Sequence, residues 1–307
     1  MLKKILGLGV VLAIAGAGTG WVLSASTPLP AEVLSSLPEG DAARGEAMFW
    51  AGGCTSCHSA PGAEGEDKLK LGGGLKLVSP FGTFVAPNIS SDAQDGIGGW
   101  SAASFANAMM TGTGPHGENL YPAFPFTSYS RMDIQDVTDL FAFMKTLPAV
   151  AGKAPDHELG FPFNIRRGLG LWKLVNMSSG PVVKEPAAGA DVDMDVWNRG
   201  RYLVEGPGHC GECHTPRNPI GGLDYSAWLS GADAPTGEGK IPGLDPASEL
   251  GSWSVPDIAY YLESGFTPEY DSVGGEMVEV QANMAKLPAS DREAIAVYLK
   301  ALPAAAK

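Results

Sequence analysis

Four cysteines, arranged as two copies of one five-residue pattern, are the residues of this chain whose types and spacing point most directly to chemistry. The cysteines and the histidines that follow them are Cys54, Cys57 and His58 in the first copy and Cys210, Cys213 and His214 in the second. Two cysteines three positions apart can form thioether bonds to the vinyl groups of one porphyrin, and the next histidine can bind the iron as proximal ligand. Because these two copies use every cysteine, the pattern favours two covalently bound haem c groups over disulfides, redox dithiols or zinc sites.

Matching stretches on both sides of the two motifs indicate an internal repeat. Arg44-Gly45 precedes the first motif as Arg199-Gly200 precedes the second, and each dipeptide opens a short amphipathic segment. Farther along, residues 136–148 match residues 291–303, and both stretches end in Leu-Pro. Each copy is therefore predicted to have a helix before the motif, loops, a middle helix and a terminal helix. That order resembles the class I cytochrome c fold.

The two middle helices carry matching start and stop signals. A Trp-Ser pair precedes each helix, so we expect Ser101 and Ser254 to be the N-caps. Gly112 and Gly265 follow twelve positions after the respective tryptophans and are expected to end the helices. The predicted fold class is mostly α, with two tandem class I cytochrome c domains after an N-terminal transmembrane or signal helix.

The N-terminus indicates export and membrane attachment. Lys3 and Lys4 precede an uncharged run from residue 5 to residue 23, which is long enough to span a bilayer. We predict a signal-anchor helix over 1–30, a first cytochrome domain over 31–148, a linker over 149–190 and a second domain over 191–307. The haem domains would then face the periplasm from the inner membrane. The net charge of −13 excludes nucleic acid as a partner.

The sixth iron ligands are less clear than the proximal histidines. In the second copy Met277 follows two glycines, which lets the backbone approach a flat ring, and Met284 is its rival. In the first copy Met132, just before the terminal helix, is the nearest thioether able to reach the iron. The alternatives that stay open for this copy are Met109, Met110 and His116. His157 and His209 are expected to be structural or exposed to solvent.

Several further stretches resemble the membrane-anchored multihaem cytochrome c subunits of bacterial periplasmic alcohol, gluconate and related sugar dehydrogenases. They are Trp-Ala-Gly-Gly-Cys before the first motif, Pro-Asn-Ile-Ser from Pro87, Tyr-Pro-Ala-Phe-Pro-Phe from Tyr121 and Phe-Pro-Phe-Asn-Ile-Arg from Phe161. The resemblance implies that Arg166 and Arg217 pair with haem propionates. Those subunits usually carry three haems, whereas this chain has two motifs. They also often have methionine where this chain has Phe124, and related two-haem members instead use the methionine before the terminal helix, which favours Met132.

The motifs and the resemblance together predict electron transfer rather than catalysis. The chain would take electrons from a periplasmic dehydrogenase or a soluble redox carrier and pass them to a respiratory acceptor. The alternative is a dihaem enzyme, either a peroxidase or an oxidase of sulfur compounds. A peroxidase needs a haem with an open or histidine-switched site, and only three histidines lie outside the motifs. A sulfur-oxidising relative with a cysteine ligand would need a fifth cysteine, which the sequence lacks.

Overall fold

In each copy of the repeat, the helix before the motif crosses the terminal helix, and these two crossings are the main helix contacts of the fold. The computed structural model describes residues 14–178, 180–234 and 239–303. The elements of the first half are α1 (Ala31–Ser35), α2 (Ala42–Ala51), α3 (Cys54–His58), β1 (Lys76–Ser79), β2 (Gly82–Val85), α4 (Ala102–Thr111), α5 (Phe126–Tyr129), α6 (Ile134–Met144), β3 (Glu158–Leu159) and α7 (Gly168–Asn176). Those of the second half are α8 (Met194–Glu205), α9 (Gly211–His214), β4 (Ala232–Asp233), β5 (Lys240–Ile241), α10 (Val255–Ser264), α11 (Met277–Met284) and α12 (Ala289–Lys300). The predicted mostly helical fold is confirmed.

Glycines allow the helix before each motif and the terminal helix of the same copy to cross in direct backbone contact. In α2 a methyl group on Gly45 would lie 2.0 Å from the carbonyl oxygen of Asp139 on α6. In α8 a methyl group on Gly200 would lie 1.8 Å from the carbonyl oxygen of Ala294 on α12. Only glycine fits at such a crossing. The two Arg-Gly dipeptides of the repeat therefore mark equivalent crossings.

The arginine beside each glycine anchors the same crossing by an ion pair. Arg44 donates from Nε to the carboxylate of Asp139 at 2.7 Å, and this carboxylate is fully buried. Arg199 donates from Nε and Nη2 to the two carboxylate oxygens of Asp291, at 2.8 and 2.7 Å. Such a bidentate ion pair fixes the relative orientation of the helices as well as their spacing.

The predicted caps of the middle helices are confirmed. Ser101 accepts a hydrogen bond from the backbone N–H of Ser104 at the start of α4. Ser254 caps α10 in a capping box. Both helices end at glycines in the left-handed conformation, Gly112 at φ 61° and Gly265 at φ 78°.

The linker is attached to the first copy by a small sheet and by α7. The strand β3 pairs with β2, which pairs with β1, so the three strands form an antiparallel sheet. On α7, the buried ammonium of Lys173 donates to the carbonyl of Gly112 at 2.7 Å and to the amide oxygen of Asn119 at 2.9 Å. The linker therefore contains a helix that is docked on the first copy.

The N-terminal segment is described only in part. Residues 14–23 are helical, and the first thirteen residues of the predicted anchor lie outside the described residues. Among the helices that the structure describes, none combines the length and the apolar character needed to cross a bilayer. The signal-anchor helix over 1–30 stays a prediction.

Candidate haem sites

The first motif forms a short helix that fixes its histidine in one tautomer. Gly53, in the left-handed conformation at φ 55°, turns the chain from α2 into α3. Nδ1 of His58 lies 2.8 Å from the carbonyl oxygen of Pro87. A carbonyl can only accept, so Nδ1 carries the proton and the lone pair of Nε2 is free to bind a metal. Burial lowers the pKa of His58, which keeps the imidazole neutral as a ligand must be.

The second motif repeats this arrangement. Cys210 caps α9, which ends at His214, and Nδ1 of His214 lies 2.8 Å from the carbonyl oxygen of Pro242. Burial again lowers the pKa of the histidine. The acceptors stand 29 and 28 residues after the respective histidines. Sequence reasoning missed both prolines, although their nearly equal spacing was visible in the repeat.

The cysteines have the wrong electrostatics for a redox dithiol. All four lie in the described part of the chain and none is in a disulfide. Burial raises the pKa of both Cys54 and Cys210 to about 12. Reactive Cys-x-x-Cys thiols instead have lowered pKa values, because the thiolate is the nucleophile. The residues fit haem c, which needs two thiols and one neutral imidazole on the same short segment.

Two buried donors in the second copy have no acceptor among the described protein groups. In the part of the chain that the structure describes, four buried polar side-chain atoms have no hydrogen-bond partner, and Tyr225 Oη and Trp253 Nε1 are two of them. In the sequence both follow the second motif and precede α10. Buried donors are almost always satisfied in folded proteins. The carboxylates of a bound haem are groups that could accept from them.

The candidate sixth ligands lie in different surroundings. Met132 is buried, two residues before α6, whereas His116 is exposed in a turn. Met277 is the first residue of α11 rather than part of a loop, but Gly275 at φ 60° still precedes it. It is half-buried, while Met284 at the other end of α11 is buried. The rivals on α4 are a buried residue and a half-buried one, Met109 and Met110.

Glu276, next to Met277, lies near both motifs. Burial, and after it the charge of Glu276, raises the pKa of Cys57. The same two causes, in the same order, raise the pKa of Cys213 to about 11. The start of α11 therefore approaches the cysteines of both copies, which brings the two motifs to one region of the molecule.

The two predicted propionate partners are already engaged with protein groups. The Arg166 guanidinium lies 4.5 Å from the ring centroid of Tyr121 and donates to the carbonyl of Asn119 at 3.2 Å. Arg217 donates to the carbonyl of Gly221 and to both the carbonyl and the carboxylate of Glu212. A role of either arginine toward a haem propionate stays a prediction.

The residues between the cysteines of each motif are held by the other copy. In the first motif, Thr55 donates to the amide oxygen of Asn283 on α11 at 2.9 Å, and the amide nitrogen of Asn283 donates to Ser56 at 2.8 Å. In the second motif, the carboxylate of Glu212 accepts from Thr127 and Ser128 on α5, at 2.8 and 3.1 Å. In each copy, the helix before the terminal helix is therefore hydrogen-bonded to the motif of the other copy.

The two unassigned histidines are structural, as predicted, and both are half-buried. Nε2 of His209 lies 3.2 Å from the carbonyl oxygen of Gly52, so it joins the second motif to the segment just before the first. Nδ1 of His157 accepts from the backbone N–H of Val85 and fastens the linker to β2.

A buried polar chain lies beside the second motif. The ring of Trp228 covers Gly211, where a methyl group would lie 2.1 Å from a ring carbon. Trp228 donates to Tyr298 at 3.1 Å, and Tyr298 donates to Glu205 at 2.7 Å. Glu205 also accepts the backbone N–H groups of Val182 and Val183, and burial raises its pKa. This series of hydrogen bonds connects the linker to the second motif, and no local sequence pattern indicated it.

Comparison with known proteins agrees with this geometry. A family model described as cytochrome c matches residues 42–148. A diheme cytochrome c-type protein of Cereibacter sphaeroides is 51% identical over 298 residues, which cover 97% of this chain and 97% of that protein. The chain belongs to the cytochrome c family. The predicted fold family is thereby confirmed for this cytochrome.

The cytochrome is also similar to cytochrome subunits of dehydrogenases, as the sequence indicated. The fructose dehydrogenase cytochrome subunit of Gluconobacter japonicus is 36% identical over 294 residues, which cover 95% of this chain and 58% of that subunit. The cytochrome c subunit of a quinone alcohol dehydrogenase from Gluconacetobacter polyoxogenes is 37% identical over 291 residues, which cover 90% of this chain and 59% of that subunit. The cytochrome thus spans less than two thirds of these two subunits.

Proposed function

We propose that this cytochrome binds two haem c groups and transfers electrons from a dehydrogenase to a further acceptor. The observation that carries the proposal is the exact repetition of one donor set: two thiols, and a neutral histidine whose Nδ1 donates to a proline carbonyl at 2.8 Å in both copies. Haem iron supplies one-electron chemistry, with its potential set by the axial ligands and by burial. The protein residues then have only to hold, orient and shield the groups.

In this proposal each motif supplies two thioether links and one axial imidazole. The first set is Cys54, Cys57 and His58, and the second is Cys210, Cys213 and His214. The carbonyls of Pro87 and Pro242 orient the imidazoles and increase their basicity, as such outer partners do at metal sites. Met132 and Met277 are proposed as the sixth ligands, where a thioether favours reduced iron and raises the potential.

The donor we propose is a dehydrogenase, and the acceptor is a component of the respiratory chain. Support comes from the relatives, two of which are named as cytochrome subunits of fructose and alcohol dehydrogenases. The uncharged run over residues 5–23 supports attachment to the inner membrane, with the haem domains in the periplasm. The contacts between the motifs support electron exchange between the two haems within one chain.

The haem content is tested by the pyridine haemochrome spectrum of the denatured, acid-acetone-extracted protein. Two haems per chain, neither of them extractable, are expected. The double variant Cys54→Ala, Cys57→Ala should retain one haem, and Cys210→Ala, Cys213→Ala should retain the other. A single haem in the unsubstituted protein, or haem that is extracted by acid acetone, would contradict the proposal.

The axial ligands are tested separately by near-infrared absorption and redox titration. Histidine–methionine ligation of oxidised haem gives a weak near-infrared band, and Met277→Leu should diminish this band and lower one of the two potentials. Met132→Leu should do the same for the other haem. Met284→Leu and His116→Ala are the matched controls, because they replace the rival ligands of each copy. A spectral change in a control, but not in the corresponding test variant, would reassign the ligand.

A further inference from the structure

The linker and the loops beside it expose an unusually apolar surface. On α7, Leu171, Leu174 and Val175 follow one another at helical spacing and are all exposed, whereas Gly170, Lys173 and Asn176 on the other side are buried. We name the linker face by its exposed apolar residues, Phe161, Phe163, Leu171, Leu174, Val175 and Ile220. Leu174 is 61% exposed and Val175 is 73% exposed, so the outer side of this docked helix carries apolar side chains where polar ones are usual.

Both copies of the repeat contribute to this surface. The ring of Phe163 contacts that of Phe81, from the turn between β1 and β2, with 5.1 Å between the centroids. Phe81 in turn lies against Gly221 of the second copy. Trp172 of α7 donates to the carbonyl of Ile220 at 2.8 Å. The linker face is therefore one continuous surface that runs from the first copy across α7 to the second.

The N-terminal helical segment meets the linker face at the start of α7. The guanidinium of Arg167 lies 3.7 Å from the ring centroid of Trp21, and a methyl group on Gly170 would lie 2.2 Å from the carbonyl oxygen of Ser24. From this contact the segment projects away from the protein. Residues 14–19 are all exposed, and within the described residues no other part of the chain lies within 4 Å of the methyl positions of the three glycines in this segment.

The charge distribution favours a lipid surface as the binding partner of the linker face. The two longest stretches of the sequence without Asp or Glu are 1–31 and 159–184, and these are the stretches that meet at Trp21 and Arg167. The next longest, 68–91, contributes Phe81. In a chain of net charge −13, the segments that carry Trp21, Phe81 and the residues of the linker face from 161 to 175 thus contain no acidic residue. Apolar side chains with aromatic and basic neighbours are typical of surfaces that lie in the membrane interface.

We propose that the linker face rests on the bilayer beside the point where the N-terminal segment enters it. This inference rests on the membrane attachment given under the proposed function. Once that segment is inserted, the linker face is held next to the lipid at high effective concentration, so a weak interfacial affinity is sufficient. Because both copies contribute to the linker face, contact with lipid would stop the cytochrome from tumbling about its anchor and would leave the opposite side for redox partners.

The test uses spin labels on the full-length, haem-loaded cytochrome in vesicles of phosphatidylcholine with phosphatidylglycerol. Val175→Cys places a label on the linker face, Leu174→Cys is a second position, and Tyr260→Cys is the control, exposed on α10. With all native cysteines in thioether links, the introduced cysteine is the single reactive thiol. Lipid-soluble oxygen should relax the labels at 174 and 175 several-fold more, relative to a water-soluble nickel chelate, than the label at 260. In detergent-free buffer without vesicles this difference should disappear.

Each other outcome has a distinct meaning. If the cytochrome is bound to vesicles but the labels at 174 and 175 are as accessible to the nickel chelate as the label at 260, the inference is wrong and the anchor alone holds the protein. If those labels become protected only when a dehydrogenase is added, the linker face is a protein interface and the inference is also wrong. A cytochrome that does not bind vesicles refutes membrane attachment and the inference together. If the unsubstituted protein reacts with the spin label, at least one native cysteine is free, which contradicts haem attachment but not the contact of the linker face with lipid.

Discussion

The substitution Gly200→Ala tests the closest helix crossing of the second copy. The added carbon would lie 1.8 Å from the carbonyl oxygen of Ala294, 2.5 Å from the carbonyl carbon and 2.8 Å from Cβ of Tyr298. Nonbonded heavy atoms pack at about 3.5 Å, so the helices would have to separate by roughly 1.5 Å at this point. Two of the three obstructing atoms belong to the backbone of α12, so no side-chain rotation can relieve the overlap.

The expected loss follows from the core that this separation would disturb. Trp197 on α8 and Tyr298 on α12 are fully buried, with ring centroids 5.7 Å apart. Overpacking a well-packed core generally costs ~1–3 kcal/mol, and the backbone clash places Gly200→Ala at the upper end. A loss of about 3 kcal/mol in a domain of this size lowers the melting temperature by roughly 12 °C.

The assay is thermal unfolding followed by far-ultraviolet circular dichroism, with the haem-loaded protein in detergent. Gly168→Ala is the matched control, because it makes the same change at the start of α7, where, among the described residues, no atom from outside the helix and the adjacent residues lies within 4 Å of the added carbon. This control should melt at or slightly above the wild-type temperature, since alanine favours helix over glycine by about 0.5–1 kcal/mol. If Gly200→Ala melts together with the control, the two helices do not cross at the distance described and the reasoning is refuted.

Three further predictions concern side-chain contacts. Asn283→Ala leaves the buried Thr55 hydroxyl without its acceptor, so denaturant unfolding should show a loss of ~1–3 kcal/mol, and an unchanged value would contradict the interface contact. Burial raises the pKa of Asp139, but the hydrogen bonds that this carboxylate accepts, first among them the one from Arg44, lower the pKa overall. The ionised Asp139 therefore stabilises the fold at neutral pH, and this stabilisation is lost as the pH falls through the lowered pKa. Asp139→Asn should therefore be less stable at neutral pH and lose less of its unfolding free energy in acid; parallel pH profiles would refute this. Burial lowers the pKa of Lys173 to about 8, below the ~10.4 of an unfolded lysine, so the unfolded chain binds more protons between these values. Wild-type stability should rise relative to Lys173→Met over that interval, and a constant difference would show that the ammonium is not desolvated.

The sequence predicted those parts of the structure that local signals determine. The serine caps and glycine ends of α4 and α10 depend on the N–H and C=O groups of one helix turn, so their signals lie within a few residues of the helix. The repeat indicated that Arg44-Gly45 and Arg199-Gly200 are equivalent, and the structure shows that each marks a helix crossing. The spacing within the two motifs is visible in the sequence because the chemistry of haem attachment requires it, and the attachment of two haems stays a prediction.

The remaining features depend on contacts between distant parts of the chain. Thr55 and Asn283 are separated by 228 positions, and hydroxyl and amide side chains are too common for either to be singled out in the sequence. The sheet of β1, β2 and β3 was not predicted, since β3 has only two residues and belongs to the linker. Met277 was expected in a glycine-flanked loop but begins a helix, because the turn at Gly275 is followed by a run of helix-forming residues.

The contact between the two copies has the reciprocal form of the interface in a two-fold dimer, although both copies belong to one chain. Ser128 and Asn283 occupy the same position in the repeat, each eight residues before the matched aspartates Asp136 and Asp291. Each reaches the residue just before the second cysteine of the other copy, Glu212 in one case and Ser56 in the other. A contact in which the same two elements meet in both directions is closed, because each copy uses for binding the surface that it also offers. Both Cys-x-x-Cys-His motifs therefore belong to one interface, and a change in the register between the copies would disturb both motifs at once.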